Sequence, residues 1–265
     1  MDVYVRPFTS RKIRENTWVI EGVGAYSYLL IGNQKAMMVD TGMSKLNLRE
    51  YVRTITPLPV MVVNTHGHFD HTGGNGWFEE VYMHPNAVAD AKRVFQGAEG
   101  YPLDYPIQTV REGHVFDLGG RTVEVIEIPA HSPGSIALLD REYRLLFTGD
   151  ELEAGQVLLM GFGDNAPSCQ TVEQHQRNMK KLKERINEFD FICPGHNGTP
   201  IDKSYVDAFI ENDQKVMDGI EGKRDIYSPS FPKEIFNLPH IEYVRRSEHE
   251  GSAIVYDIRR IFMAR

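Results

Sequence analysis

Apolar and polar positions alternate along the chain in a way that predicts many short strands and a few helices. Thr17-Trp18-Val19-Ile20-Glu21 and residues 25–31 are β-branched or aromatic runs, punctuated by Gly22, Gly24 and Gly32, and each reads as a strand. Gly32-Asn33 reads as a tight turn into a further apolar run at 35–40. Leu46 to Ile55 has helical spacing and is stopped by Pro57-Leu58-Pro59, after which Val60-Met61-Val62-Val63 reads as a short buried strand. A short strand is expected at 80–83. A helix is expected at 86–95, with Asn86 as its N-cap after His84-Pro85. Residues 97–106, rich in Gly, Pro and Tyr, read as a loop. Strands follow at 121–128, 135–140 and 143–147, then a charged helix at 171–189, a strand at 190–193 and a second long helix at 203–220. After a loop carrying Pro229, Pro232 and Pro239, two last strands are expected at 241–246 and 252–258. Strand clusters with helices between them place the chain in the mixed α/β or α+β class.

The chain has 265 residues, of which 41% are hydrophobic and 25% charged, so it can bury a core without disulfide or metal staples. No apolar run approaches the roughly 18 residues of a membrane span. The opening Met1-Asp2-Val3-Tyr4-Val5-Arg6 has no apolar region of the kind a secretory signal carries. Two cysteines, Cys169 and Cys193, make no disulfide framework, and a cytoplasmic location is expected. The net charge of −8 argues against non-specific binding to nucleic acid or a membrane surface.

The ten histidines change the picture. Thr65-His66-Gly67-His68-Phe69-Asp70-His71 follows the apolar strand at 60–63 and precedes a Gly-rich loop, Thr72-Gly73-Gly74-Asn75-Gly76. A strand that ends in such a loop lets the backbone fold tightly enough to turn neighbouring side chains inward. Neutral nitrogen from His with hard oxygen from Asp suits zinc, iron or manganese at a catalytic site. Three later strand ends repeat the theme: His131 after 121–128, Asp150 after 143–147 and His196 after 190–193, each beside Gly or Pro. His84 reads as buried structure. His175, on the charged helix, is expected at the surface. Cys193 is expected in the core and Ser132 in a turn. Arg245 and Arg246 read as solvated charges on a strand.

With these residues in view, the chain resembles the metallo-β-lactamase superfamily. His66, His68, Asp70 and His71 match its His-x-His-x-Asp-His signature. Val39-Asp40-Thr41-Gly42 matches its upstream Asp motif, and His131, Asp150 and His196 fall in its order. The resemblance implies an α+β fold, an αββα sandwich with a dinuclear metal site at the edge of its two sheets. It implies two divalent ions, Zn2+ first and Mn or Fe as alternatives. His66, His68 and His131 would hold one; Asp70, His71 and His196 would hold the other; Asp150 would bridge them. Asp40 would steady the histidine loop from behind. The implied chemistry is hydrolysis of an ester-like bond (thioester, lactone or related small-molecule ester) by a metal-bridged hydroxide, with Asp70 and Asp150 orienting it or passing a proton.

Within the superfamily, the common zinc β-lactamases are exported and carry a cysteine ligand where Asp150 stands here. The full ligand set is more similar to that of glyoxalase II-type thioesterases and lactonases. Glyoxalase II has a helical C-terminal domain, which the last 45 residues here do not match. The alternatives are a mononuclear iron persulfide dioxygenase, which would use His66, His131 and Asp150, and a phosphodiesterase. Residues 1–222 are read as the catalytic domain and 223–265 as an extension packed on it. The expected partner is a small-molecule substrate, with no nucleic acid or membrane; a homodimer is compatible with the sequence. Tyr26, Tyr105 and Phe162 are the candidate substrate-pocket residues, with 101–105 as a lid.

Overall fold

The early apolar runs become neighbouring strands of one sheet. In the computed structural model, which describes residues 3–93, 99–160, 167–227, 233 and 240–263, seven strands pair in chain order. They are β1 (Thr9–Arg14), β2 (Thr17–Glu21), β3 (Ser27–Ile31), β4 (Ala36–Val39), β5 (Val60–Val63), β6 (Val81–Met83) and β7 (Gln108–Thr109). β1 to β4 are antiparallel, and β4 to β7 are parallel. Leu29 sits opposite Met38, and Met38 beside Val62; all three are fully buried. Central strands covered on both faces read as unbroken apolar runs, which is why β3 to β5 were visible in the sequence. β1 was not. Its sequence, Thr-Ser-Arg-Lys-Ile-Arg, is that of a mostly exposed edge strand whose charges discourage further pairing.

The chain divides into two compact units, Met1–Glu127 with Gly134–Gly149, and Ile128–Pro133 with Asp150–Arg265. The first unit holds the seven-stranded sheet and an antiparallel meander of β8 (Val115–Asp117), β9 (Thr122–Glu127), β10 (Ile136–Asp140) and β11 (Leu145–Gly149). Side chains of the two layers meet: Tyr28 and Phe147 are 5.0 Å apart edge to face, and Tyr82 and Phe116 5.2 Å apart. Arg121 ties the layers together. Buried almost completely, it donates from Nε to Asp140 at 2.9 Å, from Nη1 to the Asn16 carbonyl at 2.7 Å and from Nη2 to Thr17 Oγ1 at 2.8 Å.

Three short helices belong to this unit: α1 (Leu48–Arg53), α2 (Phe69–Thr72) and α3 (Val88–Ala91). The Asn47 side chain caps α1, and Leu48 and Val52 enter the core. The helix expected at 86–95 is reduced to α3, preceded by one tight turn at Pro85–Ala87; residues 94 and 95 lie outside the described residues. The capping side chain is His84 rather than Asn86. His84 is buried, its Nδ1 accepts from the Asn86 N–H at 3.1 Å, and its Nε2 lies 3.0 Å from Glu127 Oε1.

The second unit holds β12 (Val157–Leu159), β13 (Phe191–Pro194), β14 (Ile201–Asp202), α4 (Val172–Glu184), α5 (Tyr205–Met217), β15 (Val244–His249) and β16 (Ser252–Asp257). β12, β16 and β15 form a three-stranded sheet, so Leu158 and Leu159 are strand residues. β13 and β14 pair as a hairpin. Thr171 caps α4, and Val172, Met179 and Leu182 form its buried stripe; Val206, Phe209 and Val216 do the same for α5. Two expectations fail here. His175 is fully buried, because it falls on the core stripe of α4 despite the charges around it. Arg245 is buried too, where its guanidinium donates to the Glu242 and Val244 carbonyls and pairs with Glu221. Among the described residues no helix is long and apolar enough to cross a membrane.

Candidate metal centre

In the first unit, β4 and β5 end side by side and bring Asp40 to the histidine loop. β4 runs into Asp40, which adopts a left-handed backbone (φ 57°), a conformation that Asp tolerates better than most residues. The buried Asp40 carboxylate thereby meets the chain leaving β5. Its Oδ1 accepts from the Thr65 N–H at 2.8 Å. Its Oδ2 accepts from Thr65 Oγ1 at 2.7 Å and lies 2.8 Å from His71 Nδ1. The His66 ring centroid lies 4.5 Å from that of His68 and 4.1 Å from that of His71, and His71 Nε2 lies 3.8 Å from Asp70 Oδ2.

Behind the rings lies a buried polar layer the sequence reading did not single out. Asn64 and Asn75 exchange side-chain hydrogen bonds at 2.9 and 3.2 Å. Asn64 Nδ2 also reaches the His71 carbonyl at 3.0 Å, and the Thr41 N–H donates to the same oxygen at 2.8 Å. Gly149 presses from the other side: a Cβ there would collide with Thr65 Oγ1, so the strand end can approach the histidine loop only as glycine.

The second unit brings together His131, Asp150 and His196. Asp150 Oδ2 lies 3.7 Å from His131 Nε2, and its Oδ1 lies 3.5 Å from His196 Nε2. His131 is fixed on three sides. Its ring Nδ1 lies 2.9 Å from the Leu158 carbonyl, its N–H donates to Glu151 Oε2 at 2.8 Å, and its carbonyl accepts from Gln170 Nε2 at 2.7 Å. Glu151 is itself fully buried, and Asn178 Nδ2 donates to its Oε1 at 2.8 Å. Burial pushes the Glu151 carboxyl upward, opposed by His175 and the His131 N–H. Neither Glu151 nor Gln170 was expected; each follows or precedes a motif by a residue type that reads as solvent-facing.

The donor chemistry fits a divalent ion. In His71 and His131 the Nδ1 atom is committed to a carboxylate or a carbonyl, and in His66 it lies 3.2 Å from Thr65 Oγ1. A ring so held turns Nε2 toward its ligand, the arrangement found behind metal-binding imidazoles. Hard carboxylate oxygens lie beside these rings, Asp70 in the first unit and Asp150 in the second, and imidazole with carboxylate is a donor chemistry suited to zinc, manganese or iron.

The expected substrate wall is placed differently. Tyr105 lies in the core of the first unit with its hydroxyl 3.3 Å from the Ala91 carbonyl, so its ring offers no surface to a substrate. Tyr101 is buried as well and donates to the Met43 carbonyl at 2.5 Å, so the 101–105 segment is packed in place by both tyrosines. Tyr26 is half-buried, and Phe162 lies outside the described residues. Cys193 and Ser132 are buried. The Cys169 thiol is pushed up to about 11, by burial first and then by Glu151.

The family model described as the metallo-β-lactamase superfamily matches residues 20–216. The chain belongs to that superfamily. It is 31% identical over 214 residues to the acyl-coenzyme A thioesterase MBLAC2 of Gallus gallus, an alignment covering 66% of this chain and 73% of that protein. It is 30% identical over 208 residues to the "probable metallo-hydrolase MJ0888" of Methanocaldococcus jannaschii, covering 71% of this chain and 96% of that protein. A solved metallo-β-lactamase from Pontibacter korlensis superposes with a TM-score of 0.59 at 19% identity, over 77% of this chain and 98% of that one. The fold is therefore the α+β metallo-β-lactamase fold.

Proposed function

We propose that the protein is a metal-dependent hydrolase of thioesters, with a coenzyme A-type thioester as the first substrate class to test. In this reading His66, His68 and His131 hold one divalent ion, Asp70, His71 and His196 hold a second, and Asp150 serves both; all seven belong to groups of His and Asp able to bind a metal ion. The observation that carries the reading is the set of committed Nδ1 atoms, on Asp40 for His71 and on the Leu158 carbonyl for His131, which prepares each Nε2 as a ligand. Bound there, divalent ions would bring the pKa of a water to about 7 and polarise the thioester carbonyl.

The chain's own residues do the rest. Asp70 and Asp150 are the carboxylates beside the ligand histidines, so they orient the attacking water and take up its proton. Water adds at the carbonyl carbon, the C–S bond breaks, and the proton ends on the departing thiolate, giving an acid and a thiol. No side-chain nucleophile is required, in keeping with the buried Ser132 and Cys193 and the high Cys169 thiol. Support for the thioester class comes from the relative named as an acyl-coenzyme A thioesterase.

The test is metal content by elemental mass spectrometry on protein purified without chelator, followed by thiol release from acyl-coenzyme A and acyl-glutathione, with lactones and phosphodiesters as controls. Two equivalents of zinc or manganese with thioester turnover are expected. One equivalent of iron with oxygen uptake on a persulfide would replace this reading by the dioxygenase. Turnover confined to phosphodiesters would replace it by the phosphodiesterase.

A further inference from the structure

The second unit carries a buried polar chain that the proposed reaction does not use directly. His175 of α4 and Asp213 of α5 are both fully buried, and His175 Nδ1 lies 2.7 Å from Asp213 Oδ2. On its other side His175 Nε2 lies 3.0 Å from the backbone carbonyl of Glu151. The Glu151 carboxylate in turn accepts from Asn178 and from the His131 N–H, both at 2.8 Å. The chain therefore runs from Asp213 through His175 to the residue that follows Asp150, and from there to the backbone of His131.

Both partners of His175 are acceptors. Holding both bonds at once requires a proton on each ring nitrogen, or one on Asp213, so the pair retains a proton that a neutral imidazole beside a carboxylate lacks. Burial lowers the His175 pKa, but the Asp213 carboxylate and then Glu151 outweigh it, and the net direction is upward. Such a group adds little to folding. Replacing a buried ion pair by apolar residues of similar volume is often neutral or stabilising, so the pair's hydrogen bond onto Glu151 points to positioning rather than to folding.

We propose that His175, held by Asp213, is a positioning residue that fixes the Asp150 and His131 limb of the metal centre through Glu151; this rests on the metal-centre reading above. It fixes the carbonyl of Glu151 while Asn178 and His131 fix its carboxylate. Breaking the chain lets the peptide after Asp150 rotate and the His131 loop drift. Partners behind metal ligands typically change metal affinity by about 10- to 100-fold.

The experiment compares wild type with H175Q, D213N and the double variant H175L/D213L, all as the full chain. Metal affinity is read by competition with a chromophoric chelator, and ligand geometry by the absorption spectrum of the cobalt-loaded protein. Circular dichroism and urea unfolding establish that each variant is folded. Asp213→Asn keeps the chain, because its amide can donate to Nδ1 while Nε2–H stays on Glu151; it should bind metal as wild type does. H175L/D213L, apolar at both positions, should bind metal about 10- to 100-fold more weakly, with an altered cobalt spectrum. H175Q reaches only one of the two partners and should fall between; it decides the matter if the double variant does not fold. Unchanged affinity and cobalt spectrum in the folded His175 variants would overturn the proposal, and so would a D213N loss equal to that of the double variant. Wild type without metal after reconstitution would instead overturn the metal-centre reading itself.

Discussion

Replacing Asp40 by asparagine tests the histidine loop without emptying the space behind it. The Asp40 Oδ2 atom takes two hydrogen bonds, from Thr65 Oγ1 at 2.7 Å and from His71 Nδ1 at 2.8 Å, while Oδ1 takes the Thr65 N–H at 2.8 Å. An asparagine keeps Oδ1 as an acceptor for the Thr65 N–H, so the backbone of the loop stays anchored. Its amide nitrogen then stands where Oδ2 stood and donates to His71 Nδ1. The imidazole responds by carrying its proton on Nε2, the nitrogen needed for the metal. A bound ion must displace that proton and invert the amide contact. Loss of such a partner typically costs about 10- to 100-fold in affinity, or about 1.4–2.8 kcal/mol. Stability of the metal-free protein should fall by less than in Asp40→Ala, which leaves three buried donors unsatisfied at about 1–3 kcal/mol for each group. Chelator competition on the folded variants reads the first quantity, and urea unfolding of the metal-free proteins the second. An Asp40→Asn protein that binds both metals as tightly as wild type would show that the tautomer of His71 does not matter, and would refute the argument.

Arg121→Ala should destabilise the fold by about 3–5 kcal/mol, because it strands the fully buried Asp140 carboxylate; a loss under about 1 kcal/mol in urea unfolding would contradict the clip. His84 is drawn below its ordinary 6.5 by burial, against the upward pull of Glu127, so the folded protein holds it neutral. The unfolded chain then binds the extra proton, and His84's share of stability is lost as pH falls from 6.5 toward the folded value. His84→Asn should flatten that part of the urea midpoint profile, and an identical slope in the variant would refute the assignment. Cys169, pushed up to about 11, should react slowly with iodoacetamide at neutral pH and faster as the pH approaches that value; rapid neutral labelling in intact mass would contradict it.

What the sequence made legible follows from how strongly each feature is constrained. β3, β4 and β5 are covered on both faces, and only continuous apolar runs satisfy that. β1 and β8 lie at sheet edges, where exposure removes the alternation that would have identified them. Ligand-type residues were visible because four strand ends carry His or Asp beside glycine or proline. Their supports were not. Asn75, followed by Gly76, reads as a turn, yet its amide is buried against Asn64. Tyr105 sits in a Gly- and Pro-rich stretch that reads as a lid, but its ring fills the core, which composition alone does not reveal.

The misplacement of His175 carries a sharper point about helices. Composition described α4 by its charges, and those charges are where solvent is: Arg177, Lys180, Lys183 and Glu184 are exposed. Phase describes it differently. Val172, His175, Gln176, Met179 and Leu182 recur at three- and four-residue steps, which is one face of a helix. On α5 the same steps link Val206, Phe209, Asp213 and Val216. A polar side chain on an apolar stripe must find a partner or cost several kcal/mol, at about 1–3 for each unsatisfied group. Those on these stripes do find partners, and the partners sort them by task. Gln176 reaches the Ile210 carbonyl and Asn212 the Ser247 carbonyl, which holds helix to helix and helix to sheet. His175 and Asn178 reach past the helices to Glu151, the neighbour of Asp150. Helical phase, rather than the charges around it, therefore marks His175 as buried. The acid required by a buried histidine then appears on the matching stripe of the next long helix.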